Sequence, residues 1–279
     1  MEKPSVVQRQ RMKRRAKRLT RRIMPFVAAL FLATPVAAPV SKTLARARTH
    51  QTLPTAEEMQ KIFLDQRFDK LYQEMNLAEQ GLRFEVFEKA MTGYLNLKEA
   101  NKLGKKDRLT VIDFSLPSTE KRLWVLDLNT KQVLFHTLVA HGHNSGENMA
   151  TNFSNKNESN MSSLGFYVTA GEYVGKHGRS LKLQGLDEGY NDNAMMRSVV
   201  MHGADYVSED FIRQYGRLGR SLGCPALPMN QYAQIIDAVG GHTCLFLNGN
   251  DTSYRSSYLD QNVAAQALAA TTSNTGELI

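Results

Sequence analysis

The sequence predicts an α+β fold, a mostly-β domain with short helices that follows an N-terminal helical appendage. Three features carry that prediction. Apolar residues recur at three- and four-residue intervals between Thr55 and Lys105, the period of helices with one buried face. From Arg108 the texture changes to short β-branched and aromatic runs separated by turn residues. Ahead of both lies a leader that is first basic and then apolar. The expected organisation is a leader over residues 1–47, a helical region over 48–105, a β-rich domain over 106–249 and a polar, mobile tail over 250–279.

The leader has the order of a secretory signal: dense Lys/Arg through residue 22, an alanine-rich apolar run from Ile23 to Val40, and an A-x-A-like exit at Ala45-Arg46-Ala47. The apolar run is short for a membrane span and carries Pro35 and Pro39, so cleavage is the first expectation and a retained inner-membrane anchor the alternative. Thr20-Arg21-Arg22 is a weak hint of a twin-arginine signal. The leader also explains the charge. It holds 12 of the 35 Lys/Arg and 1 of the 27 Asp/Glu, so the remainder counts 23 bases against 26 acids, about −3. Nucleic-acid binding thereby loses its main support. No cysteine precedes Cys224, which leaves no thiol for a lipid anchor. The expected location is periplasmic or otherwise extracytoplasmic.

Within the helical region, Ile62, Phe63, Phe68, Leu71, Tyr72 and Met75 share one period, Gly81 interrupts, and Phe84, Phe87, Ala90, Met91, Tyr94 and Leu95 resume it. These positions predict packing faces. Strands are expected at 109–114, 122–128 and 132–139, the last two joined by the turn Asn129-Thr130-Lys131, then at 165–169 and 180–183. Ser198-Val199-Val200-Met201 reads as a strand ending at His202. Ser208 followed by Glu209 and Asp210 marks a helix start, and Gly216 its stop. A helix over 230–239 stops at Gly240-Gly241 before a final strand that contains Cys244.

The most informative stretch is Gly216-Arg217-Leu218-Gly219-Arg220-Ser221-Leu222-Gly223-Cys224-Pro225. Only a thiolate attacks carbonyl carbon well, and nearby cations or a histidine favour it. Arg217 and Arg220 supply candidate charge, His202 a candidate base, and the glycines a backbone whose amides are expected to converge on an oxyanion. A strand, a short helix and a glycine loop would bring His202 and Cys224 together. Two other readings stay open on spacing alone: a buried inert thiol, and a disulfide to Cys244. Cys244 itself reads as a buried strand residue.

From about Leu71 to Leu227 the chain resembles the L,D-transpeptidase (YkuD-type) superfamily, in the branch described as murein L,D-transpeptidase catalytic-domain proteins. The resemblance rests on ordered blocks: Asn76 to Leu82, Ile112-Asp113-Phe114-Ser115, Val139 to Gly146, Ser162 to Tyr167, Lys176-His177-Gly178, Met201 to Tyr206 and the cysteine loop. It implies a YkuD-like β-sandwich catalytic domain with short helices. It also implies acyl transfer on peptidoglycan stem peptides through a cysteine thioester, without a cofactor or a metal. The catalytic set carried over is Cys224 as nucleophile, His202 as general base held by the carbonyl of Gly203, and Ser221 and Gly223 in the loop. Arg220, His177, Asn144, Ser145 and His141 are expected to bind substrate, and residues 151–163 to form a lid.

The chain departs from the wider family where many members have Ser-His-Gly-Cys followed by an apolar residue and arginine. Here Leu222 replaces the second histidine and Ala226 stands in the arginine's place, so Arg220 and His202 are expected to carry more of the activation. Asp205 is a competing orienter for His202. The three histidines His141, His143 and His177 have no common metal-ligand spacing. The enzymatic expectation is formation of L,D cross-links. Its rivals are an L,D-carboxypeptidase, in which water resolves the same thioester, and a catalytically silent peptidoglycan-binding protein. A thiol redox protein finds no Cys-x-x-Cys pair.

Overall fold

The computed structural model describes residues 54–176 and 178–275; the expected leader and His177 lie outside them. The first helix, α1 (Ala56–Glu74), starts at a capping box: Thr55 Oγ accepts from the Glu58 amide at 3.2 Å and Glu58 Oε2 from the Thr55 amide at 2.7 Å. The break at Gly81 is real, with φ +74°, and α2 (Phe84–Glu99) follows. Phe68, Tyr72, Phe84 and Phe87, all from the predicted periodic set, meet with ring centroids 5.2–6.4 Å apart.

Eight strands form one mixed sheet: β1 (Arg108–Asp113), β2 (Leu123–Asp127), β3 (Gln132–Thr137), β4 (Gly165–Gly175), β5 (Gly178–Gly185), β6 (Val200–Ala204), β7 (Ala226–Pro228) and β8 (Cys244–Asn248). Their spatial order is β3-β2-β1-β8-β4-β5-β6-β7, with β1/β8 and β6/β7 parallel and the other neighbours antiparallel. Alternation sorts the core. Leu109, Val111, Trp124, Leu126, Cys244 and Phe246 face α1 and α2, while Ile112, Leu123, Val125, Leu245 and Leu247 pack with Ile235, Ile236 and Val239 of a helix, Tyr232–Val239, on the other side. Both faces are covered, which is why Leu123–Asp127 and Cys244–Asn248 are buried throughout. Trp124 Nε1 donates to Gln80 O at 3.0 Å and fastens the helical region to the sheet.

The sheet curls far enough to bring its edges together. Ala140, just after β3 at one edge, bridges to Ala226 of β7 at the other, and Gly142 bridges to Ser221. The expected α+β fold, mostly β with helices at its N-terminal side, is therefore the observed one. The two helices between strands, α3 (Glu209–Tyr215) and α4 (Tyr232–Val239), have the expected stops; α4 begins later than predicted because Gln231 closes a turn onto Pro228 O at 3.0 Å.

One expectation is corrected. Residues 261–275, read as mobile tail, form helix α5 (Gln261–Thr275), whose Ala264, Ala265 and Leu268 join the core with α1 and α2. Asn96 Nδ2 secures its start, donating to Tyr258 O at 2.8 Å and Asp260 O at 2.9 Å. Alanine is the best helix former, and a narrow stripe of small residues suffices to seat a helix closely on two others. Polar composition concealed that stripe.

Candidate active site

Strands β6 and β7 place the two residues that matter most. Their parallel register pairs His202 with Ala226, so Cys224, two residues upstream of Ala226, lies beside Val200, two residues upstream of His202. The Val200 amide points at the Cys224 sulfur at 3.4 Å, and the thiol faces Ser198 O at 3.7 Å. The link between the strands folds as its sequence predicts. Ser208 Oγ accepts from the Phe211 amide at 3.2 Å to start α3, and Gly216 ends it in the left-handed region at φ +71°. Cys224 is partly exposed, Cys244 is buried in β8, and both are free thiols, so the disulfide reading fails.

His202 is 2% exposed, and its Nδ1 lies 2.9 Å from Gly203 O. A carbonyl only accepts, so Nδ1 carries a hydrogen, and in the neutral form of the ring the lone pair lies on Nε2. The expected holder of the ring is the one observed; Asp205 is exposed. Gly203 is needed for a close approach, because a Cβ there would sit 2.7 Å from the Tyr232 ring.

Ser221 braces the cysteine loop. Its Oγ donates to Cys224 O at 2.6 Å and accepts from the Gly223 amide at 3.1 Å. The Gly223 amide is therefore engaged by Ser221. Gly223 has φ +121°, and a Cβ would meet Met161 O at 2.8 Å and Arg197 Nη2 at 3.3 Å. Leu222, in the position of the missing second histidine, is exposed.

The electrostatics differ from expectation. Both loop arginines are spent on Glu147: Arg217 Nε at 2.9 Å and Arg220 Nη1 at 2.7 Å. Arg220 also donates to Gly146 O at 3.1 Å and His143 O at 3.3 Å, so it clamps the loop after β3 to the cysteine loop. The cations that favour a Cys224 thiolate are instead Arg197 and Lys176. Burial outweighs them and the Val200 amide, and pushes the Cys224 thiol above its ordinary value, opposite to the lowered value expected from sequence. Cys244 is pushed up by burial as well.

Two of the expected substrate contacts, His141 and Ser145, turn out to be internal supports. His141 is fully buried between Arg122 and Phe114. Arg122 can only donate, so at 2.7 Å it fixes His141 Nδ1 as the acceptor, and Nε2–H faces Gly146 O at 3.3 Å. Burial, reinforced by the Arg122 charge, drives the His141 pKa down to about 4. Ser145 is also buried, its Oγ accepting the Ser162 amide at 2.9 Å. Asn144 is exposed but holds Ser159 O at 2.9 Å. Residues 151–163 are thus pinned to the loop after β3, and Ser162 Oγ reaches Gly223 O at 3.4 Å.

Arg197 is the site residue that the sequence reading missed. The only signal it offered was position, one residue before the Ser198-Val199-Val200-Met201 run. The fold, not the local motif, turns it towards Cys224.

Among solved structures the chain is similar to an L,D-transpeptidase from Mycobacterium smegmatis, at 14% identity over 51% of this chain and 59% of that one, TM-score 0.32. It is similar to the helical cell shape determining protein Pgp2 from Campylobacter jejuni, at 12% identity over 65% of this chain and 64% of that one, TM-score 0.36. A third is an L,D-transpeptidase from Xylanimonas cellulosilytica, at 10% identity over 60% and 80%, TM-score 0.30. The chain spans about three fifths of the length of the mycobacterial protein. No curated protein matches it. Residues 78–248, more than half of the chain, match the model of the L,D-transpeptidase catalytic domain (YkuD_2), and the chain belongs to that family.

Proposed function

We propose that this chain is an exported cysteine acyltransferase that forms L,D cross-links between peptidoglycan stem peptides through a Cys224 thioester. The observation that carries the reading is the β6/β7 register, which sets Cys224 one diagonal step from His202, a histidine whose Nδ1 is oriented by the Gly203 carbonyl.

Because burial holds the resting thiol protonated, His202 removes the proton as the sulfur attacks, rather than waiting beside a preformed thiolate. The sulfur adds to the carbonyl between the L-centre of the diamino acid and the terminal D-alanine. The peptide N–H of Cys224, in a loop braced by Ser221, is the donor we assign to the oxyanion. Collapse breaks the C–N bond, His202 returns its proton to the departing D-alanine amine, and the acyl group remains on sulfur. An incoming side-chain amine then attacks the thioester, loses a proton to His202 and releases the thiol. The leader over residues 1–47 supports export. Among the described residues no helix is long and apolar enough to cross a membrane.

The test is incubation of the purified protein with disaccharide-tetrapeptides and mass spectrometry of the products. Cross-linked dimers that vanish in Cys224→Ala support the proposal. Tripeptides alone, also dependent on Cys224, replace it with L,D-carboxypeptidation by water. Binding without any product assigns the silent peptidoglycan-binding role.

A further inference from the structure

Arg197 is half-buried and reaches four neutral acceptors from one guanidinium. Nη1 donates to Ser154 O at 2.8 Å and to Ser163 Oγ; Nη2 donates to Met161 O at 2.7 Å and Ser159 Oγ at 3.1 Å. All four belong to one segment, residues 154–163, and that segment lies against the cysteine loop through Met161 and Ser162 at Gly223. The same arginine stands one residue before Ser198 and three before Val200, the two backbone groups that touch the Cys224 sulfur.

No carboxylate among the described residues forms an ion pair with Arg197. A half-buried cation without a counter-ion is costly to retain for packing alone, since a neutral side chain avoids the desolvation. A thiolate at Cys224 would supply the missing negative charge, and the two groups favour each other's charged forms.

We propose that Arg197 is a positioning residue for Cys224: it holds residues 154–163 as a strap against the cysteine loop and keeps one positive charge beside the sulfur for the moment the proton leaves. The inference rests on the reading of Cys224 as nucleophile. Among the described residues, the titratable or charged groups that act on this sulfur are Arg197, Lys176 in the β4–β5 turn and Tyr206 after β6, and His202 lies one diagonal step away in the β6/β7 register. Of these, only Arg197 also binds the strap. Lysine at 197 would keep a charge but lacks the planar fork that reaches four acceptors.

The experiment uses the full chain as wild type, Arg197→Gln, Arg197→Lys and the double variant Ser159→Ala with Ser163→Ala. Iodoacetamide labelling of Cys224 across pH, read by mass spectrometry, reports the charge. Hydrogen exchange of residues 154–163 reports the strap, and kcat and KM for tetrapeptide turnover report the consequence. Arg197→Gln is expected to shift the labelling profile to higher pH, with about tenfold less labelling at a fixed alkaline pH. It should lower kcat by a similar factor and KM less. Arg197→Lys should label within about threefold of wild type yet exchange the strap faster, because the charge survives and the fork does not. The double serine variant should exchange the strap faster with its labelling profile unmoved, a result available even if Arg197→Gln fails to fold.

Labelling and turnover of Arg197→Gln equal to wild type, with Cys224→Ala inactive, overturn the inference and leave the nucleophile reading standing. An Arg197→Lys profile shifted as far as that of Arg197→Gln overturns the charge role. Unchanged strap exchange in the double serine variant overturns the positioning role. Products that persist in Cys224→Ala remove the nucleophile reading itself.

Discussion

At the scale of single residues, two side chains decide how the site holds its geometry. Gly223 sits in the left-handed region with Met161 O 2.8 Å from where a Cβ would be, so Gly223→Ala combines backbone strain with a clash against backbone. A loss of about 1–3 kcal/mol is expected in urea unfolding, together with loss of turnover, since the residue adjoins Cys224. Wild-type stability in that variant would mean that the loop relaxes freely. His141 gives a pH signature. The unfolded chain protonates this ring near its ordinary value of about 6.5 and the folded chain only near about 4, because burial and Arg122 oppose the charge. Between those values the unfolded state binds more protons, so stability is full above about pH 6.5 and falls as pH drops towards 4. By pH 5 the loss is about 2 kcal/mol. His141→Asn, which keeps an acceptor for Arg122, should lose correspondingly less between pH 7 and pH 5. Parallel losses in the two proteins would refute the buried-ring account.

At the scale of elements, the C-terminal helix is the sharpest test. If residues 261–275 were mobile, deleting everything after Asp260 would leave the unfolding midpoint unchanged. With Ala264, Ala265 and Leu268 in the core beside α1 and α2, the deletion should lower the midpoint and expose apolar surface to a dye such as ANS. Asn96→Ala should reproduce part of that effect, because it removes both hydrogen bonds that secure the helix start. The cost expected is about 1–3 kcal/mol. The short crossover from β6 through α3 to β7 works in the opposite sense: it buries no helix residue, so its value is the parallel register that it permits.

At the scale of the whole molecule, the sheet's two edges meet at the site. The bridges Ala140 to Ala226 and Gly142 to Ser221, with Glu147 held by Arg217 and Arg220, close the curl just where the cysteine loop begins. Exposed ion pairs contribute little to stability, so Glu147→Gln should cost under about 1 kcal/mol per pair. Its effect should appear in dynamics, as faster hydrogen exchange in residues 141–147 and 217–224 together. Faster exchange in one segment only would show that the two loops are not coupled through Glu147.

The sequence by itself determined the two helices before the sheet, the strand alternation and the Ser208 and Gly216 ends of α3, and it singled out His202 and Cys224 as the candidate catalytic pair. These follow from local periodicity, capping chemistry and an ordered motif, all of which are readable within a few residues. Tertiary structure alone decided the rest. It buried His141 and Ser145, diverted Arg217 and Arg220 to Glu147, seated α5 in the core and turned Arg197 towards Cys224. Desolvation and charge pairing depend on neighbours distant in the chain, and local pattern carries no record of them. So the thiol could be found from its sequence, while its raised pKa and the identity of its cation came only with the fold.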